Sequence, residues 1–248
     1  MALTQSRLAD SARSLAERAG RFTMRVGNKM VRVSQSPWDR AQNTRKDSGE
    51  SRARRAQRRG YVQHGEFDLK IAYDPDVISD KVVNTIERGA YERFEGRRSK
   101  SFIEEGDRII ELGAGLGFLS ALIMSQTEVG DYQMVEADPR LRKLMKKTHE
   151  LNGVEGPATM HTCVATCNDE MIAAGAVDFF VGEKFCASSL LGAKNLKHSV
   201  EVPVVSLPDM IREHRSNVLI ADIEGAETDL FNGTPLDGVE KILSLIHI

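Results

Sequence analysis

Cysteine is scarce in this chain, and long apolar runs are missing. Three cysteines in 248 residues, Cys163, Cys167 and Cys186, are too few for the disulfide framework of a small secreted domain. Cys163 and Cys167 have no His or Cys neighbours at zinc-site spacing, so no metal is expected. No stretch approaches the roughly 18 consecutive apolar residues that cross a bilayer, and the N-terminus lacks the apolar segment of a secretory signal. The expected location is cytoplasmic. No internal repeat is visible. The net charge of −2 excludes little, but its distribution is uneven. Residues 1–60 carry 15 Lys/Arg against 5 Asp/Glu, and the rest carry 19 against 31.

That asymmetry divides the chain. Leu3, Leu8, Ala12, Leu15, Ala19 and Phe22 recur at helical spacing among Arg7, Arg13, Arg18, Arg21 and Arg25, the pattern of a basic amphipathic helix. Such a helix suits an anionic membrane, RNA or the acidic body of a second copy, and it equally suits a solvated tail. From Ser34 to Gly60 there is almost no large apolar residue after Trp38, which predicts a disordered basic linker. Residues 61–242, with 41% hydrophobic residues over the whole chain, are enough for one α/β core.

The chemistry is concentrated in three segments. Arg108 to Gly117 (RIIELGAGLG) reads as an apolar strand entering a glycine-rich turn, with Phe118–Met124 opening a helix. A dinucleotide fingerprint places its third glycine three residues after the second, and that position is Phe118. The earlier Gly117 favours an E-x-G-x-G-x-G loop, suited to the methionine end of S-adenosylmethionine. Gly-rich turns of this kind also occur simply to pack a helix against a sheet. Asp131–Asp138 (DYQMVEAD) reads as the next parallel strand, and Pro139 starts a helix that Gly153 ends. Glu136 stands at the strand tip, where a carboxylate meets ribose hydroxyls, while Asp138 serves the helix N-terminus equally well. Asn217–Ile223 is an apolar run that ends in Asp222-Ile223-Glu224-Gly225-Ala226-Glu227. Its acids fall at the carboxyl end of a strand, where open α/β sheets bind ligands.

Between these segments the pattern predicts a helix over 76–94, a third strand over 158–167, a hairpin or short strands over 176–191, a strand at Val202–Val205 and a helix from near Pro208.

IELGAGLG, VEADP, VPVVSLPDMI and VLIADIEGAE together resemble an FkbM-type methyltransferase over roughly residues 76–242. The resemblance implies a Rossmann-like, doubly wound, mostly parallel sheet of the class I methyltransferase type, with S-adenosylmethionine as cofactor. It implies O-methylation of a sugar or secondary-metabolite hydroxyl. By position, Gly113, Gly115 and Gly117 would approach the methionine portion, Glu111 its amino group and Glu136 the ribose. Asp222, Glu224 and Glu227 would line the acceptor side, with Asp222 or Glu224 as base and His161 and His198 as weaker candidates. A small-molecule or glycan acceptor, an anionic partner for residues 1–60 and a homodimer are the partners this reading admits. The competing readings are a non-catalytic Rossmann-like module with an RNA- or membrane-contacting tail, and an NAD-linked oxidoreductase. Family members continue past the strand begun at Val239, whereas Leu243–Ile248 matches the translation of a transposase-type sequencing adapter. A fragment lacking its last strands is therefore expected, with 243–248 an artefact.

Overall fold

Ile109, Ile110 and Leu112 are buried on both faces of one strand, and the architecture is built outward from it. The structure, a computed structural model, describes residues 51–185, 198–223 and 236–244. The amphipathic helix expected before Phe22, together with Cys186, Glu224, Gly225, Glu227 and residues 245–248, lies outside the described residues.

In chain order the elements are α1 (Arg52–Arg59), β1 (Tyr61–Gln63), β2 (Lys70–Ala72), α2 (Asp80–Glu87), α3 (Arg93–Phe102), β3 (Arg108–Leu112), α4 (Phe118–Met124), β4 (Asp131–Val135) and α5 (Leu141–Leu151). They continue with β5 (Ala158–His161), β6 (Val164–Thr166), α6 (Asp169–Ala174), β7 (Ala176–Phe180), β8 (Ser199–Ser206), α7 (Leu207–His214), β9 (Val218–Ala221) and β10 (Lys241–Ser244). Five strands form the main sheet in the order β10-β9-β3-β4-β5, and every pairing is parallel. Parallel neighbours need crossovers, which bring helices onto both faces and leave the strands apolar throughout. Ile109, Tyr132, Met134, Val218 and Ile220 pack on one face with Val83 and Ile86 of α2, Phe118 and Leu122 of α4, and Met145 of α5. Ile110, Leu112, Val135, Leu219 and Ala221 face the other way onto Leu207, Met210 and Ile211 of α7. This is a doubly wound, Rossmann-like α/β fold.

Two small sheets flank the large one. The hairpin β1-β2 is held to α5, because Ala72 N–H donates to Thr148 Oγ1 at 3.1 Å and Asn152 exchanges hydrogen bonds with both backbone groups of Lys70. Beyond the sheet's far side, β8 pairs parallel with β6 and antiparallel with β7.

Three sequence expectations are corrected. The strand expected over 158–167 is two strands in different sheets, because the chain bends at Cys163 and passes from pairing with β4 to pairing with β8. The helix expected over 76–94 is two helices. Ser79 caps α2 at its start, and Gly89 adopts φ +65 where an added Cβ would lie 2.7 Å from Glu66 N, so the apolar stripe crosses a reversal. Residues 51–60, expected to be disordered, form a capped helix, while residues 34–50 of that expectation lie outside the described residues. Ser51 Oγ accepts from Arg54 N to start α1, Gly60 ends it in the left-handed region, and Ala56 is buried. Arg52 and Arg55 lie 3.0 and 3.6 Å from the Glu87 carboxylate, and Arg52 also donates to Asn84. Ala56 supplies the apolar contact of α1 with the core, and the two arginines supply the polar hold on α2.

Glu87 is thus the anchor of α1. Glu87→Ala should cost about 0.5–1 kcal/mol, the scale of part-exposed ion pairs, and should speed limited tryptic cleavage within 52–59 several-fold relative to the parent chain, read by mass spectrometry.

Candidate cofactor loop and acidic chamber

The glycine loop joins β3 to α4, and its three glycines do different work. Gly113, Gly115 and Gly117 have φ of 79, 53 and 71°, the left-handed region that an L side chain enters only with strain. A Cβ on Gly113 would stand 2.0 Å from the Asp222 carbonyl oxygen, so this position is required by the closeness of the β3 and β9 ends. A Cβ on Gly117 would press on Met145 Cα at 3.2 Å, which is the contact that seats α4 against α5. At Gly115 the nearest atom is Tyr91 Oη at 3.7 Å. Gly115 is partly exposed, and a methyl group there would meet only ordinary van der Waals contact, so it marks the least crowded opening of the loop.

Glu136 braces that opening. One carboxylate oxygen accepts from Gly115 N–H at 2.9 Å and the other from Asp138 N–H at 2.8 Å. Burial raises the Glu136 carboxyl above its usual range, and these backbone donors offset part of the rise. Asp138 has a different task. It is 1% exposed, accepts from Arg140 N, and holds the Arg140 guanidinium through both oxygens. Arg140 then donates to the Gly182 carbonyl at 2.9 Å. The tip of β4 is latched in this way to the chain leaving β7. That segment is also held from below, as Lys184 Nζ donates to the Pro75 carbonyl at 2.6 Å.

Behind the loop lies a chamber of acids. Glu111 is 3% exposed and accepts from Tyr132 Oη at 2.9 Å. Desolvation pushes its carboxyl up to about 8, with Asp222 and Glu136 adding repulsion and Tyr132 opposing it. Glu92, at φ 43, is also raised well above the carboxylate range, chiefly by desolvation and then by Glu111, Asp222 and Glu95, while its bond to Tyr91 lowers it. His64 sets the position of Tyr91. Its Nδ1 accepts from the N–H groups of Glu66 and Phe67, which leaves Nε2 as the protonated nitrogen that donates to the Tyr91 carbonyl at 2.9 Å. Burial lowers the His64 pKa in keeping with this neutral form.

Asp222 directly follows β9, its N–H donating to the Leu112 carbonyl at 3.0 Å, and so belongs to the chamber with Glu111. Glu224 and Glu227, expected beside it, lie outside the described residues. His161 is placed elsewhere. Its Nε2 meets Gln133 Oε1 at 2.6 Å, and Gln133 projects from the face of β4 opposite Tyr132. His198 is exposed at the start of β8. Sequence reasoning missed Tyr91, Glu92, Tyr132 and His64. Tyr132 could have been found by setting β3 beside β4 in register, since it is a diagonal neighbour of Glu111. The left-handed Glu92 leaves no sequence signal. Among the described residues no group of three or more His, Cys, Asp or Glu is arranged to hold a metal ion.

A carboxyl raised in the folded state favours the protonated native form. The ligand-free protein therefore gains from Glu111 below the usual glutamate value of 4.5 and loses that stability as pH rises towards about 8. Glu111→Gln should raise the melting temperature, with a gain that is small near about pH 5 and largest near about pH 8.5. Gly113→Ala, whose Cβ overlaps backbone, should lower stability by at least about 2 kcal/mol more than Gly115→Ala in chemical denaturation.

Comparison with known proteins gives the family. The model of the methyltransferase FkbM domain matches residues 112–247, more than half of the chain. Among solved structures, the methyltransferase FkbM of Methylobacillus flagellatus KT is 14% identical, with 64% of this chain and 41% of that chain covered and a TM-score of 0.33. The tRNA m1G37 methyltransferase of M. jannaschii is 15% identical over 73% of this chain and 39% of its own, with a TM-score of 0.38. A transferase of Pyrococcus horikoshii, PH0793, is 20% identical over 41% of this chain and 36% of its own, with a TM-score of 0.32. The chain thus spans well under half the length of these structures. No curated protein matches. By the match that begins at Leu112 and takes in the glycine loop, Glu136 and Asp222, this chain belongs to the FkbM methyltransferase domain family.

Proposed function

We propose that the domain is an S-adenosylmethionine-dependent O-methyltransferase acting on a hydroxyl of a sugar or secondary metabolite. The observation that carries this reading is the pairing of the partly exposed Gly115, braced by Glu136, with the carboxyls of Glu111, Glu92 and Asp222, which act on one another and, through Glu111, on Glu136. A ligand that suits both features has ribose hydroxyls at one part and positive charge at another. Glu136 keeps acceptor capacity for a hydroxyl after its three backbone bonds, to Asp138, Gly115 and Ala137, and the acids offer a water-poor place for an ammonium. When bound, this cofactor supplies an electrophilic sulfonium methyl.

What remains for the protein is alignment and exclusion of water. Asp222, at the end of β9, is the candidate to accept the acceptor's proton, together with Glu224. The β6-β8-β7 sheet and the chain after Phe180 form the side on which an acceptor would be shaped. A dinucleotide is disfavoured by Phe118. It stands where the third glycine of that fingerprint would be, it is fully buried, and it packs on His64 and Phe67 with ring centroids at 4.9 and 5.6 Å.

Isothermal calorimetry with S-adenosylhomocysteine and with NADH tests this reading. The first should bind and the second should not, and Glu136→Ala should weaken the first by about 1.5–3 kcal/mol, the scale of charge-assisted hydrogen bonds. Asp222→Asn should lower turnover ~100-fold, far more than it weakens S-adenosylhomocysteine binding. Absence of S-adenosylhomocysteine binding, or equal binding of NADH, would reject the assignment.

A further inference from the structure

The Glu111 carboxyl is held in an unusual way for a group expected to be ionised. Among the described residues its one hydrogen-bond donor is the Tyr132 hydroxyl, at 2.9 Å. Both side chains are buried, Tyr132 completely. An ionised carboxylate offers about four acceptor positions, and a single neutral phenol satisfies one of them. The groups that face it are acidic on each side. Tyr132 and Glu136 come from β4 and its tip, Asp222 from the end of β9, and Glu92 from the turn before α3. No described Lys, Arg or His is among the groups acting on Glu111.

Two arrangements relieve such a carboxyl: a proton on the carboxyl itself, or a cation beside it. Among the described residues no Lys, Arg or His acts on Glu111 to supply the second. Arrival of an ammonium supplies the second, and the proton becomes dispensable. We propose that Tyr132 is the positioning residue of Glu111, and that this buried pair gives its proton to solvent when the cationic amino-acid end of the cofactor enters. The inference rests on the cofactor reading above. The balance is simple: a neutral carboxyl becomes a carboxylate, the ligand keeps its ammonium, and one proton leaves to buffer. Tyr132 keeps its own proton throughout, because burial and the neighbouring Glu111 both push the phenol pKa further up. Its hydroxyl favours the ionised form of Glu111 and so sets the pH at which the pair empties.

Sequence alternation shows why the tyrosine comes from this position. Glu111 pairs directly with Met134, whose thioether is at best a weak acceptor and cannot donate. Tyr132 is the diagonal neighbour on the same face, and only a long aromatic side chain carries a hydroxyl across that distance. Tyr132→Phe deletes the donor and keeps the ring that fills the core.

The test is calorimetry of S-adenosylhomocysteine binding in phosphate and in Tris, two buffers whose different ionisation heats reveal the number of protons released. The parent protein should release more than about half a proton per ligand near pH 7.5, where a group titrating near 8 is still mostly protonated. Glu111→Gln should release close to none from this site. Tyr132→Phe should move the pH midpoint of affinity upward by about half a unit or more and weaken binding near neutral pH by at least about threefold. In ligand-free protein with carbon-13-labelled glutamate, the Glu111 carboxyl signal, assigned by its loss in Glu111→Gln, should titrate well above the usual glutamate value of 4.5 and higher still in Tyr132→Phe. A purely structural role for Tyr132 would lower stability and leave both midpoints in place, which would overturn the proposal. Ligand binding without proton release overturns the coupling alone. No binding at any pH overturns the cofactor reading and the coupling together.

Discussion

Burial of one carboxyl in the middle strand of a parallel sheet is the constraint around which the site is arranged. Glu111 sits on β3, flanked on both sides by β4 and β9, where neighbouring positions are isoleucine and leucine. An acid there costs folding free energy that an apolar residue would not. The surroundings are consistent with that cost being borne by the native state. Tyr132 fixes the carboxyl, Tyr91 and Glu92 close the chamber from α3, and a buried neutral histidine holds that corner in place. A cation beside such a cluster would offset that cost, and the proposed cofactor carries one.

The two faces of the sheet carry separate duties. The face with Ile109, Tyr132 and Met134 supports the loop through α4 and α5, and it carries the chamber. The opposite face packs on α7 and holds a polar row instead. Asp131 there contacts both Arg108 and His214, and Gln133 contacts His161. Strand alternation alone separates the histidine from the chemistry, although Glu136 N–H bonds the carbonyl of that same His161.

Much of this was legible in the sequence, and the limits have physical causes. The strand β3, the glycine turn, β4 with its terminal acid, α7 and β9 all announce themselves through local pattern: apolar runs, glycines and a proline at a helix start. The chamber is invisible at that level because Tyr91, Glu92 and Tyr132 reach Glu111 only after strands and helices have paired. Distinguishing the three glycines likewise needed their neighbours, since Gly113 answers to Asp222 and Gly117 to Met145, each far away in the chain. Composition misjudged α1, where a charge-rich run finds its stability in Glu87 of another helix. Periodicity misjudged the reversal at Gly89 because apolar residues resume at helical spacing beyond it.

The latch between the β4 tip and the chain after β7 has a consequence for how this fold can diversify. Arg140 grips a main-chain carbonyl at Gly182, and Lys184 grips another at Pro75. Main-chain atoms are common to every residue type, so the Arg140 clamp places no demand on the side chain at 182, whereas the second clamp is the side chain of Lys184 itself. Position 182 can therefore be rewritten without loosening the latch, while Arg140 and Lys184, the two side chains that do the gripping, cannot.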